Sequence, residues 1–137
     1  MNDKTKRILL VAGAIVLAVV FMMFGAGKFI DPAKWIDKFA AWGIPAWFVP
    51  VSGALEVAGA VGLLIPVLRG LAGLGLALFM IGAVATHVVH AEIGMIFVAG
   101  AILAGSAAVG WQRLPETTAF LSRRTAGQQK TLLDRTT

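Results

Sequence analysis

Apolar residues in this chain fall into long unbroken blocks, not into the 3.6-residue period of a half-buried soluble helix. Ile8 to Gly27 holds no ionisable residue, Trp47 to Leu68 holds only Glu56, Gly70 to Val89 only His87, and Ile93 to Trp111 none. A bilayer core takes roughly 20 apolar residues of helix. Each block therefore predicts one crossing, with bounds near 8–29, 47–68, 70–90 and 93–111. The predicted fold class is all-α, a polytopic membrane protein built as a four-transmembrane-helix bundle.

Between the first two blocks the pattern changes. Asp31 suits an N-cap, Pro32 the first helical position and Gly43 a C-terminal stop. Over 32–42, Trp35, Ile36, Phe39 and Trp42 share one arc, opposite Lys34, Asp37, Lys38 and Ala41. This predicts a short amphipathic helix lying in the outer interface. Its tryptophans, with Trp47, read as an anchoring belt; Trp35, Phe39 and Trp42 are also candidates for a lid over a site between the helices.

Of 137 residues, 58% are hydrophobic and 14% charged, which leaves no room for a soluble domain beside four crossings. Lys4, Lys6 and Arg7 before the first block resemble a signal-peptide n-region, but the block exceeds an h-region of about 7 to 15 residues, so it reads as a retained first helix. Alternating helices put Lys4, Lys6, Arg7, Arg69, Arg113, Arg123, Arg124, Lys130 and Arg135 on one side, and Lys28, Lys34 and Lys38 on the other. By the positive-inside rule both termini are cytoplasmic, and residues 112–137 form a basic cytoplasmic tail, partly disordered. The net charge of +5 suits anionic headgroups; no nucleic-acid-binding module is recognisable. The absence of cysteine excludes disulfides, thiolate metal sites and iron–sulfur clusters on this chain.

Small residues predict where helices approach. Gly53, Gly59 and Ala60 flank Glu56, Ala54, Ala58 and Gly62 form a second row, and Gly100, Ala104 and Ala108 a third. Pro50 marks the start of the second spanning helix and Pro66 its last turn. These faces could pack within one chain or in a homo-oligomer.

Glu56 is the principal candidate for function, because a charge inside hydrocarbon costs at least ~2.5 kcal/mol unless it faces protein groups or a polar cavity. It lies ~9 Å into its helix from Pro50, in the outer half. Met80, Ala83, His87 and His90 recur at spacings of three and four, one stripe of the third spanning helix. Lys28 and Glu92 end and begin helices on the same side. The candidate ligand site or polar core comprises Lys28, Ser52, Glu56, Met80, His87 and His90. Three residues at this end have a plainer account: Lys28 snorkels to headgroups, and His90 and Glu92 are solvated loop residues. A desolvated carboxylate and a histidine titrating near neutrality suit proton exchange with a quinone or another redox ligand. No metal motif is present, and two histidines on one helix face cannot ligate a haem iron from opposite sides.

Phe24-Gly25-Ala26-Gly27-Lys28-Phe29, Trp42-Gly43-Ile44-Pro45, Gly53-Ala54-Leu55-Glu56-Val57-Ala58-Gly59, Leu63-Leu64-Ile65-Pro66 and Met80 to His87 occur in this order over about residues 7 to 111. In this order and spacing the chain resembles the DoxX-like family of small four-helix membrane proteins. The resemblance implies a bacterial or archaeal cytoplasmic (inner) membrane protein tied to respiratory or redox systems, with members that look like small subunits of quinol oxidase or thiosulfate:quinone oxidoreductase assemblies. Lys28 and Glu56 match the family's recurrent lysine and glutamate, and His87 a histidine of some members. The expected function is a non-catalytic accessory subunit that works with redox-enzyme partners and binds a quinone or other small ligand; if catalytic, it is an oxidoreductase linked to quinone. The alternatives are a carrier or channel for a small solute or proton, lined by Glu56 and His87, and a structural assembly factor.

Overall fold

The computed structural model describes residues 1–136 and is all helical: α1 (Asp3–Ile30), α2 (Pro32–Ala41), α3 (Phe48–Leu64), α4 (Arg69–Val89) and α5 (Ile93–Thr136). Helices α1, α4 and α5 are each long and apolar enough to cross a bilayer, and α3 is an apolar helix of 17 residues. Large apolar side chains such as Met23, Leu71, Leu78, Val89, Phe97 and Trp111 stand exposed on the outside, as expected where lipid is the solvent.

Two close helix pairs make the bundle, and glycines set both. A Cβ on Gly25 of α1 would sit 2.9 Å from the Gly53 carbonyl oxygen of α3, and one on Gly73 of α4 would sit 2.7 Å from Gly110 Cα of α5. Backbones can approach this closely only where side chains are missing. Between the pairs, Phe21, Ala60, Leu63 and Leu76 form a dry core with Met80 and Ala99. The expected third row of small residues does not do this work: Ala104 and Ala108 are exposed and a Cβ on Gly100 meets nothing within 4 Å. Ala54 and Ala58 are exposed as well. On α5 the buried stripe is instead Ala99, Ser106, Val109, Gly110 and Arg113, part of which meets α4 where Gly70 and Gly73 approach the α5 backbone.

Local chemistry fixes the other ends. The Asp31 side chain accepts from the Lys34 N–H at 3.3 Å and Pro32 opens α2, while Gly43 adopts φ +70°, a left-handed conformation that ends it cheaply. α3 stops at Leu64, four residues before the expected 68, since Pro66 disfavours a helical Ile65, which is extended at φ −88°, ψ 114°. Pro66 thus follows the helix and does not occupy its last turn; Pro50 lies in the first turn, where a missing N–H costs little.

The tail differs most from expectation. In place of a helix ending near Trp111 and a partly disordered segment, α5 continues to Thr136 through Pro115; Thr137 lies outside the described residues. Loss of apolar character marks the end of the packed region, not of the helix. Gln, Arg, Leu and Ala are good helix formers, and in the helix so formed the hydroxyls of Thr118, Ser122, Thr125 and Thr131 are satisfied by carbonyls three or four residues back. Beyond Thr117 every described side chain is exposed.

At the end of the bundle opposite α2, two arginines are buried instead of free in a headgroup layer. Arg69 Nε donates to the Leu63 carbonyl at 2.7 Å, satisfying the C-terminus of α3. Arg113 pairs with Glu116 and donates to the Arg7 carbonyl at 3.3 Å, fastening α1 to α5.

Candidate functional site

Lys28 and Glu56 form the centre of the site. Lys28 stands in the last turn of α1, and Glu56 two turns into α3, on the faces that the glycines draw together. A Cβ on Gly25 would lie 3.0 Å from Glu56 Cβ, and one on Gly53 would lie 3.1 Å from Lys28 Cβ. Lys28 Nζ therefore reaches Glu56 Oε2 and donates to it at 2.5 Å, with the residues 4% and 7% exposed. Nζ is also 3.5 Å from the Phe24 carbonyl oxygen and 4.4 Å from the centre of the Trp35 ring. A carboxylate, a carbonyl and an aromatic face thus replace water around the ammonium. Glu56 Oε1 has no protein donor among the described residues.

Above the ion pair lies a cavity of about 350 Å³. Its walls are mostly apolar and aromatic, with Phe21 and Phe24 from α1, Phe48 from α3, Phe79 and Met80 from α4, and Ala99 from α5. α2 closes it. Trp35, Phe39 and Trp42 face inward and line the cavity, in a run of ring contacts from Phe24 to Trp35 (6.2 Å), Trp35 to Phe39 (6.3 Å) and Phe39 to Trp42 (5.7 Å). The arc expected to anchor in headgroups is turned toward protein; Trp47, 65% exposed, is the tryptophan left on the outside at this end.

A second polar cluster holds the far end of α2. His87 Nδ1 lies 2.6 Å from Glu92 Oε2, and Trp42 Nε1 donates to Glu92 Oε1 at 3.3 Å. The Trp42 ring stands edge-on to the His87 ring at 5.4 Å, and Lys38 Nζ sits 4.9 Å over Trp42. The hydrogen bond from His87, aided by the one from Trp42, holds the Glu92 carboxyl below its ordinary range against the opposing effect of partial burial.

Lys28, Glu56, Met80 and His87 line one cavity, as do the three lid candidates. Ser52 and His90 do not. Ser52 is buried and donates to the Val49 carbonyl at 2.9 Å, a bond within its own helix. His90 is exposed beyond the end of α4, its Nδ1 2.8 Å from the Thr86 carbonyl oxygen. Glu92, read as a solvated loop residue, and Lys38 both belong to the α2 contact. An acidic residue next to a helix start, within reach of a histidine five residues back, was the available sign for Glu92. Among the described residues no three His, Asp or Glu converge, so the chemistry on offer is that of a buried ion pair and a histidine–carboxylate pair around an apolar chamber.

No curated protein and no solved structure gives a significant match to this chain. Residues 12–109, which run from the third turn of α1 to Val109 in α5 and include all of α2, α3 and α4, match the DoxX-like family. Helices built for a bilayer, and a lysine–glutamate pair at the glycine crossing of α1 and α3, thus sit within the matched region, and the chain belongs to the DoxX-like family of membrane proteins.

Proposed function

We propose that this protein is an inner-membrane accessory subunit of a bacterial or archaeal redox system, and that it holds a quinone-like ring in the cavity beneath α2. The observation that carries the reading is the chamber itself. Ligand sites are mostly apolar pockets of about 300–1,000 Å³ with a few placed polar groups, and this one is walled by aromatic rings with Lys28 and Glu56 on one side. A quinone carbonyl can accept from Lys28 Nζ, and the hydroxyl of its reduced form can donate to Glu56 Oε1. Flat rings of Phe24, Trp35 and Phe39 suit a planar ligand.

In this reading α1, α3, α4 and α5 all cross the membrane. The 17 residues of α3 span ~26 Å, near the thickness of the hydrocarbon core. Nine basic residues at one end against Lys28, Lys34 and Lys38 at the other support cytoplasmic termini, with α2 on the outer face. A through-route for a solute or proton has less support, since Phe21, Ala60, Leu63 and Leu76 pack without polar atoms below the ion pair. Redox-enzyme partner subunits would receive or supply the ligand.

The test is tryptophan quenching in purified protein titrated with a short-chain benzoquinone, beside quinone extraction from the membrane-purified sample. Saturable quenching that weakens in Glu56→Gln is expected. Quenching that rises linearly without saturation, with no quinone extracted, would remove the reading.

A further inference from the structure

A second apolar feature runs along the outside of the bundle between α3 and α4. α3 and α4 touch through small residues: a Cβ on Gly59 would fall 2.6 Å from Leu76 Cγ, and one on Gly62 would fall 2.7 Å from Ala72 Cβ. The contact leaves a shallow groove whose floor is Gly59, Gly62, Ala72 and Leu76, with Leu55 and Leu71 on its sides. Gly75 also lines it, and a Cβ there would meet nothing within 4 Å.

This groove and the chamber share walls. Leu78 and Phe79 line both. Leu78 is 72% exposed, so the junction lies on the lipid side of the bundle, and Gly82, one turn further along α4, lines the chamber with open space where a side chain would stand. From Leu71 to Phe79 the groove follows α4 for ~12 Å away from α2. No ionisable side chain lines it, in contrast to the chamber, which holds Lys28, Lys38, Glu56 and His87. The chamber, with its ionisable groups, and the long apolar groove thus abut at Leu78 and Phe79.

We propose that the ligand is a single-tailed lipid-soluble molecule whose ring occupies the chamber while its prenyl or alkyl tail leaves beside Gly82 and lies in the α3–α4 groove. The inference rests on the proposed ring site and adds the tail. It commits the occupant of the groove to the hydrocarbon chain of that ligand, because the groove meets the chamber at Leu78 and Phe79 and offers only van der Waals contact. Entry is then lateral, from the bilayer, and α2 need not lift to admit a ligand.

The experiment compares two probes on full-length protein in detergent micelles: dimethoxy-methyl-benzoquinone without a side chain, and the same ring with a decyl chain. Both are followed by tryptophan quenching in the unaltered protein, in Gly75→Phe, which fills the groove, and in Ala104→Phe, on an exposed α5 face away from it. The decyl probe should bind about tenfold more tightly than the bare ring. That gain should vanish in Gly75→Phe and persist in Ala104→Phe, with the bare ring bound equally by both variants. A gain that survives Gly75→Phe is partition into the micelle and overturns the tail site, as does a bare ring that binds as tightly as the decyl probe. If neither probe binds saturably, the ring site itself fails and the tail site with it.

Discussion

Lys28 and Glu56 meet at 2.5 Å across the closest crossing of α1 and α3, where Gly25 and Gly53 let the two backbones touch. The pair is buried, so its two members depend on each other more than on anything else. Removing one partner of a buried pair costs about 3–5 kcal/mol, whereas replacing both with apolar groups of similar size is often neutral or stabilising. Glu56→Leu and Lys28→Met should each lower the thermal unfolding midpoint in detergent, and the double variant should recover most of the loss. Simple additivity in this double-mutant cycle would show that the pair does not hold α1 to α3.

The glycines that create the crossing make a sharper test of packing. A side chain at Gly25 would collide with the Gly53 carbonyl, a backbone atom that cannot swing away, and one at Gly73 would collide with Gly110. Gly25→Val and Gly73→Val should therefore destabilise strongly. Gly94→Ala and Gly82→Ala meet open space and should be neutral or slightly stabilising, since alanine is the better helix former by roughly 1 kcal/mol. Thermal denaturation of the four variants separates the groups; equal effects would refute the close approach.

Much of this arrangement could be read from the chain. The apolar blocks located the long helices, Asp31, Pro32 and Gly43 bounded α2, and the single carboxylate in an apolar block pointed to Glu56. Partner choice was harder. Sequence grouped Lys28 and His87 with Glu56 in one candidate site, and only the geometry of Gly25 against Gly53 selects Lys28 as its partner, leaving His87 to Glu92. Rows of small residues were ambiguous for the same reason. Spacing marks a stripe but not which stripe meets a neighbour, and Ala104 and Ala108 face outward. The length of α5 was not legible in the apolar pattern because hydropathy reports burial, while helix formation beyond Trp111 follows from local propensity.

Glu92 gives α2 a pH-dependent fastening. A carboxyl held below its ordinary value by hydrogen bonds stabilises the folded contact above the ordinary carboxylate range, and the contribution is lost as pH falls through the lowered value. Groups facing it are His87 from α4 and Trp42 and Lys38 from α2. In a protein keeping Trp42 while Trp35, Trp47 and Trp111 are replaced by Phe, emission should stay constant from neutral pH to about pH 5 and change below about pH 4. Glu92→Gln should show the low-pH emission already at neutral pH. A low-pH transition in the Glu92→Gln protein equal to that of the parent would place the response elsewhere.

The proposed orientation rests on nine basic residues at one end and three at the other. Single cysteines replacing Asn2 or Gln129 should resist an impermeant thiol reagent in intact cells and react after lysis, whereas one replacing Asp37, exposed on α2, should react in both. Labelling of the Asn2 or Gln129 variants in sealed cells would invert the arrangement.

Whether α2 retains the ligand or only braces the bundle can be decided at Trp35, whose ring meets both Phe24 and the Lys28 ammonium while lining the chamber. Trp35→Ala removes one wall and the cation–π contact, worth about 0.5–2 kcal/mol, without touching the Lys28–Glu56 bond. A retaining role predicts faster dissociation of a bound benzoquinone, by roughly tenfold if the loss approaches 1.4 kcal/mol, against a small change in unfolding midpoint. Trp35→Phe keeps an aromatic face over Lys28 and should restore most of the residence time. If dissociation is unchanged in Trp35→Ala while the midpoint falls, α2 acts as a brace and does not retain the ligand.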